Sequence, residues 1–193
     1  MDQKLAVELH TWAGNSPDTW RSCAGDLLDA AAVLRERRGS IDPGSVPLPN
    51  ARRLHPAELM LDGMAIECLL NAPWVKRGQK LAKDGAYVRV PGTGPHDLVQ
   101  LAGVLQLPLS DLEKDVLRRL SHFIEYGGRH PVSKDAEKLR LTRSPRGGRS
   151  SATCWITPSD QLLFDAVVSR LDQLLDEALP NFGLHPTVPS RRG

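Results

Sequence analysis

The segment from Leu59 to Leu70 constrains the fold more than any other part of the chain. It reads LMLDGMAIECLL, so apolar side chains point in nearly every direction when the segment is coiled as an α-helix. A helix of this kind is usually central in a bundle, where other helices cover it on several sides. We therefore expect a bundle around this helix, which should begin at His55-Pro56 and break or kink near Pro73.

Further segments have the apolar spacing and the end signals of helices. One begins at Ser16-Pro17, an N-cap followed by proline at the first helical position, and ends at Gly39. Another begins with a capping box between Ser110 and Glu113. The expected ranges of the other helices are 96–106, 111–126 and, after a cap at Thr157, 158–179. Because no repeat and no convincing strand series accompany them, we predict an all-α fold, a four- to five-helix bundle.

Length and composition favour a single helical domain over 1–193. The 193 residues, 40% of them apolar, are enough for one core. We expect an ordered core over about 16–126, joined by the C-terminal helix. Proline and glycine predict loops at 39–55 and 78–95. Residues 129–156 are predicted to be a basic, irregular segment.

The charge is balanced overall but not locally. The chain has 25 basic and 23 acidic residues, which gives a formal net charge of +2 and does not by itself imply nucleic-acid binding. Between residues 129 and 149, however, basic side chains greatly outnumber acidic ones. Such a segment suits an anionic partner, and a solvated loop is the alternative. The candidate anion- or RNA-binding residues are Arg129, Lys134, Lys138, Arg140 and Arg143.

Cysteine spacing and hydropathy indicate a cytoplasmic protein. Cys23, Cys68 and Cys154 lie far apart in the chain without C-x-x-C spacing, which argues against a zinc ribbon and a disulfide scaffold. Cys68 is expected to be a small core residue. No signal peptide and no stretch of about 18 uninterrupted apolar residues is evident. We therefore expect no membrane partner, no metal site and no cofactor.

Reactive side chains concentrate at three places. Glu67 lies in the middle of the apolar helix, where a carboxylate is costly unless it is paired, so a structural polar role with His96 or Arg129 as its partner is expected. Arg129 and His130 follow the Gly-Gly end of the capped helix. Arginine binds phosphate with a planar fork, and histidine exchanges protons near neutral pH. Arg129, His130 and His96 are the candidate catalytic residues for metal-free RNA cleavage, with helix capping as the alternative for His96.

Three segments together resemble the HEPN superfamily of small all-α bacterial proteins. The first is the helix pattern W-x-x-x-A-x-x-L-x-x-A-A-x-x-L, which starts here at Trp20, and the second is the central apolar helix. The third runs from His96-Asp97-Leu98 to Gly128-Arg129-His130-Pro131, where relatives often have G-H-D-L and G-R-Y-P. The resemblance spans roughly residues 16–131.

The resemblance implies a four- to five-helix bundle, often a homodimer. Many members are RNases of toxin–antitoxin, anti-phage or abortive-infection systems, and others only bind nucleotides or RNA. Catalytic members usually carry R-x(4–6)-H on a late helix. Here Arg118 and His122 are one residue too close, and Arg89 and His96, with six residues between them, lie in a predicted loop.

These departures set the order of the functional hypotheses. We expect first an RNA- or nucleotide-binding, regulatory module with a cognate antitoxin or defence partner. A metal-independent endoribonuclease is the second hypothesis. The third is a non-catalytic protein that dimerises through its helices.

Overall fold

The computed structural model describes residues 2–40, 49–127, 142–143, 145–147, 149–150 and 157–177; the side chains of 49–53, 127, 142–143, 149–150 and 158 are outside this description. The described residues form an all-α bundle with two very short antiparallel hairpins. The elements are α1 (Gln3–Gly14), α2 (Pro17–Gly39), α3 (Pro49–Lys76), β1 (Ala82–Lys83), β2 (Ala86–Tyr87), α4 (Leu98–Val104), α5 (Asp111–His122) with a π-helical turn (Phe123–Gly127), β3 (Thr142–Arg143), β4 (Arg149–Ser150) and α6 (Pro158–Asp176).

The central position predicted for the apolar helix is confirmed. α3 has its most extensive contact with α2 and also packs against α4, α5 and α6. Leu59, Ile66, Leu69 and Leu70 are all at most 1% exposed. Gly63 marks the closest approach to the end of α5, because a Cβ there would lie 2.7 Å from Cγ1 of Ile124 and 3.1 Å from the Leu120 carbonyl oxygen. The all-round apolar sequence is therefore explained by neighbours on several sides.

The ends of α3 differ from the prediction. The helix begins at Pro49, so residues 49–55 are helical and not part of a loop, and it passes through Pro56 and Pro73 to Lys76. Each proline removes one hydrogen bond from the ladder. Pro73 is nevertheless buried and Val75 is only 6% exposed. Packing of this last turn therefore outweighs the missing hydrogen bond.

The predicted caps of three helices are confirmed. Ser16 accepts a hydrogen bond from the backbone N–H of Thr19 at the start of α2. Ser110 and Glu113 form the reciprocal capping box of α5. Thr157 caps α6, which ends at Asp176. The predicted helix over 96–106 is shorter in the structure, because Asp97 caps α4 and His96 lies outside the helix.

α1 and the hairpin β1–β2 were not predicted. None of the residues of α1 is buried, so its apolar residues give no clear core pattern. The hairpin lies within the predicted loop 78–95, and Asp84 and Gly85 form its turn with φ values of 52° and 76°. Two consecutive positive φ values are typical of the tight turn that suits a hairpin, and Asp-Gly is a frequent sequence for it. The described part of the chain therefore contains six α-helices, one more than the upper number expected.

Asn15 joins α1 to the hairpin. Its amide nitrogen donates to the carbonyl oxygens of Thr11 (2.9 Å) and Ala82 (2.8 Å), while its Oδ1 accepts from the backbone N–H groups of Leu81 (2.9 Å) and Ala82 (3.1 Å). Gly14 makes this approach possible, because a Cβ there would lie 2.5 Å from Cβ of Ala82. One side chain thus fixes the end of α1 against β1.

Two further findings concern the other sequence predictions. The predicted irregular segment 129–156 contains the hairpin of β3 and β4, in which Thr142 pairs with Ser150 and Arg143 with Arg149.

Among the described residues, no helix is long and apolar enough to cross a membrane.

Candidate functional site

Glu67 and His96 meet between α3 and the loop that precedes α4. Nδ1 of His96 lies 2.9 Å from Oε2 of Glu67, although 29 positions separate the two residues in the chain. Glu67 projects from the middle of α3, and His96 lies in the loop just before α4. The Glu67 side chain is 19% exposed and that of His96 is 38% exposed. The partner expected for a carboxylate in this apolar helix is therefore present.

The backbone of His96 is held in an unusual conformation. Its φ is 55°, in the left-handed region that non-glycine residues adopt only at a cost. Hydrogen bonds fix the loop on both sides: Gly94 N–H donates to Oε1 of Gln100 at 2.7 Å, and Leu98 N–H donates to Oγ of Ser121 at 3.2 Å. These hydrogen bonds hold the loop in this conformation, so the imidazole has a fixed orientation toward Glu67.

The contact defines what the imidazole can do. A carboxylate accepts hydrogen bonds, so the tautomer that fits has its proton on Nδ1 and a lone pair on Nε2. Within the described part of the chain, Nε2 of His96 has no hydrogen-bond partner. A carboxylate behind an imidazole holds the ring in place and fixes its tautomer. The pair is therefore arranged to accept a proton at Nε2 from a bound molecule.

Three more polar side chains lie around this pair. Asn71 is one helical turn after Glu67 on α3, and Tyr87 and Arg89 come from the hairpin and the strand-like segment after it. Burial raises the pKa of the Tyr87 hydroxyl, and the charge of Glu67 raises it further, whereas Arg89 lowers it. These effects place Tyr87 within electrostatic range of Glu67 and Arg89, and the four-residue spacing puts Asn71 on the Glu67 side of α3. We call Glu67, Asn71, Tyr87, Arg89 and His96 the Glu67–His96 corner.

The corner combines exposed and buried groups. Tyr87 is 54% exposed, and Arg89 is exposed without an ion pair to any described residue. Asn71 is only 2% exposed, and its Oδ1 has no hydrogen-bond partner among the residues that the structure describes. An aromatic face, a guanidinium, an imidazole and a buried amide oxygen thus share one region. Its exposed members, Tyr87, Arg89 and His96, are of the types that contact a ring, a phosphate and a hydroxyl.

Most of the other predicted site residues lie outside the described residues. This applies to Arg129 and His130 and to Lys134, Lys138 and Arg140. Arg143 lies on β3, where only its backbone pairing with Arg149 is described. Whether Arg129 joins Glu67 and His96 therefore stays a prediction. Among the described side chains, no group of three or more His, Cys, Asp or Glu is placed to hold a metal ion.

Sequence reasoning did not select Asn71 or Tyr87, and it noted Arg89 only for its spacing from His96. The dipeptide Asp84-Gly85 was the available signal, since it marks a tight hairpin that would place Tyr87 on a strand near its turn. Asn71 could have been assigned to the face of Glu67 because residues four apart in a helix are neighbours. Tyr87 and Arg89 fall in the predicted loop 78–95, whereas Asn71 falls at the end of the predicted helix, so the two signals belong to different elements.

Comparisons of the chain with protein-family models, with curated proteins and with solved structures give no match. The resemblance to the HEPN superfamily accordingly depends on the sequence motifs alone.

Proposed function

We propose that this protein binds RNA or a nucleotide at the Glu67–His96 corner, as a HEPN-like regulatory module of a toxin–antitoxin or anti-phage system. The observation that carries the proposal is the 2.9 Å contact between Nδ1 of His96 and Oε2 of Glu67. It fixes an imidazole on Glu67, and the charges of Glu67 and Arg89 both act on the hydroxyl of the exposed Tyr87. In this proposal the protein acts in the cytoplasm as a homodimer, with an antitoxin or another defence protein as its partner.

The chemistry of the corner suits a nucleotide. Tyr87 can stack on a base, because an exposed aromatic ring is the usual platform for unpaired bases. Arg89 offers a planar fork for a phosphate. Lys80 and Lys83 are also exposed beside the hairpin, with Asp84 as the nearest acidic residue in the sequence. Arg129, Lys134, Lys138, Arg140 and Arg143 are proposed to extend this positive surface along a longer RNA.

A second candidate function, metal-independent RNA cleavage, is favoured by the orientation of His96. Nε2 would take the proton of a ribose 2′-hydroxyl while the 2′-oxygen attacks the adjacent phosphorus and the 5′-oxygen leaves. Glu67 would stabilise the imidazolium that forms, and Arg89 would offset the charge that develops on the phosphate. Arg129 and His130 are the further candidates for these cationic and acid roles. The products would be a 2′,3′-cyclic phosphate and a 5′-hydroxyl end.

Binding is tested with a labelled single-stranded RNA by fluorescence anisotropy over a range of salt concentrations. Tyr87→Ala should weaken binding about tenfold through lost stacking, whereas Tyr87→Phe should bind like the wild type. Arg89→Gln should weaken binding about fivefold and lower the salt slope by about one. Arg118→Gln is the matched control, since Arg118 is an exposed arginine on α5. Equal losses in both arginine variants would place the binding surface elsewhere.

Folded wild-type protein that binds neither RNA nor a nucleotide would contradict the proposal itself. If that protein is also a dimer, the result would favour the third hypothesis, a helical interaction protein without a ligand.

Cleavage is tested on the same RNA with EDTA present. His96→Asn should lower the rate at least about a hundredfold, because a positioned base contributes that much, while RNA affinity changes little. Glu67→Gln should lower the rate by a smaller factor, since the imidazole keeps a partner but loses its countercharge. His10→Asn, an exposed histidine on α1, is the control. Cleavage that survives His96→Asn would remove this residue from the reaction, and binding without cleavage would leave only the first function.

A further inference from the structure

Cys23 and Cys68 are 45 positions apart in the chain but adjacent in the fold. Their Sγ atoms lie 3.8 Å apart, between the first half of α2 and the middle of α3. Cys23 is exposed, and Cys68 is 8% exposed. Both are free thiols in this structure. The sequence alone indicated three unrelated cysteines, so this pairing is a product of the fold.

The surroundings of the pair allow a bond between the two sulfur atoms. A disulfide requires backbones that approach closely, with Cα atoms roughly 4.4–6.8 Å apart. Ala24 and Ala31 are the buried residues of α2, both 0% exposed, so small side chains bring this helix close to α3. From a contact of 3.8 Å, rotation of the two side chains can bring the sulfur atoms to the bonding distance of about 2.05 Å.

We propose that Cys23 and Cys68 form a reversible disulfide that joins α2 to α3 when the protein meets a thiol oxidant such as a hydroperoxide. With hydrogen peroxide, the Cys23 thiolate attacks one peroxide oxygen to give a sulfenic acid and hydroxide. The sulfur of Cys68 then attacks the Cys23 sulfur, the S–S bond forms, and water leaves. Two thiols and one peroxide thus give one disulfide and two waters. A dithiol reductant reverses the change.

The order of the two steps follows from exposure. Cys23 is open to the oxidant, whereas Cys68 is covered by the core. Burial also raises the pKa of the Cys68 thiol, and the neighbouring Cys23 thiolate raises it further. Conversion of Cys23 to a neutral sulfenic acid removes that second effect and makes Cys68 easier to deprotonate. Cys23 is therefore the reacting thiol, and Cys68 is the one that resolves the sulfenic acid.

The experiment oxidises the full-length folded protein with hydrogen peroxide, blocks the remaining thiols with an alkylating reagent, and analyses a tryptic digest by mass spectrometry. The expected product joins the peptides Ser22–Arg35 and Leu54–Lys76 with the loss of two hydrogen atoms. We expect the melting temperature to rise by about 5 °C or more, because the bond closes a long loop, and to return with dithiothreitol. Cys23→Ser and Cys68→Ser should abolish both changes, whereas Cys154→Ser should retain them.

Two results would overturn the proposal. One is an alkylated Cys68 in protein whose Cys23 has been oxidised to a sulfinic acid or joined to another thiol. The other is a pair of unmodified thiols under conditions that fully oxidise an exposed thiol of a reference protein. Both are read from wild-type protein, so they do not depend on whether the variants fold.

Discussion

Replacement of Asp160 by alanine is expected to lower the free energy of unfolding by about 4 kcal/mol. Asp160 is 2% exposed and accepts hydrogen bonds from Arg119 at 3.1 Å and from Arg146 at 2.7 Å. It also accepts from the backbone N–H of Thr157 at 2.8 Å, which completes the capping box of α6. Loss of the reciprocal hydrogen bond from Thr157 N–H costs about 1 kcal/mol, and a buried arginine left without its main countercharge costs about 3 kcal/mol.

The measurement is urea denaturation followed by circular dichroism. The control is Asp165→Ala, which removes an exposed carboxylate from the same helix and should change the stability by about 0.5 kcal/mol or less. Asp115 also pairs with Arg119, at 3.0 Å, and limits the loss. A change in Asp160→Ala as small as that in Asp165→Ala would show that Arg119 is compensated without Asp160.

The stability contribution of Asp160 should depend on pH. Burial opposes ionisation, but hydrogen bonds from Arg119 and Thr157 outweigh it and lower the pKa from 3.8 to about 2. Because the pKa is lowered, Asp160 contributes its full stabilisation above pH 3.8 and loses it as the pH falls through about 2. The difference between wild type and Asp160→Ala should therefore shrink across this window.

The second large effect is expected for Glu58→Gln, which should destabilise the protein by about 3 kcal/mol at neutral pH. Glu58 is 1% exposed and pairs with Arg35 at 3.0 Å and with Arg38 at 2.9 Å. Burial opposes its ionisation, but the His55 ring, 3.6 Å away, and hydrogen bonds from Arg38 lower its pKa from 4.5 to about 2. Its contribution is therefore present above pH 4.5 and is lost as the pH falls through about 2.

Asp62 is the matched control because it lies one turn from Glu58 and its pKa is shifted in the opposite direction. Burial raises the pKa of Asp62 from 3.8 to about 6, although Arg35 lies 2.9 Å away. A raised pKa of an acid favours the fold at low pH, and this advantage is lost as the pH rises through about 6. Asp62→Asn should thus cost less than about 1 kcal/mol at neutral pH. Chemical denaturation of both variants at pH values on either side of 6 measures the contrast, and equal losses would contradict it.

The sequence predicted the features that depend on local chemistry. The caps at Ser16, Ser110 and Thr157 are correct because a short polar side chain and its helix are neighbours in the chain. The central position of α3 follows from its own apolar residues. The passage of α3 through Pro73 was not predictable, because it depends on how the last turn packs against residues distant in sequence.

The candidate site was only partly predictable for the same reason. A carboxylate in an apolar helix needs a partner, which pointed from Glu67 to His96. The hairpin that supplies Tyr87 depends on α1, whose stability comes from contacts such as that of Asn15 with Ala82, 67 positions away. No periodicity within α1 signals this contact, since the helix has no buried residue.

The four hydrogen bonds of Asn15 have a thermodynamic consequence for any ligand that contacts Tyr87. β1 and β2 contain only two residues each, and α1 packs against both strands. Ligand binding to the hairpin and the packing of α1 both involve the hairpin, so the two equilibria are linked. The coupling free energy is the same whichever of the two occurs first. A ligand that fixed the hairpin would therefore also favour the packed position of α1, and a molecule that held α1 in place would raise the affinity for such a ligand by the same factor. Ligand binding at Tyr87 and the position of the amino-terminal helix would thus be coupled.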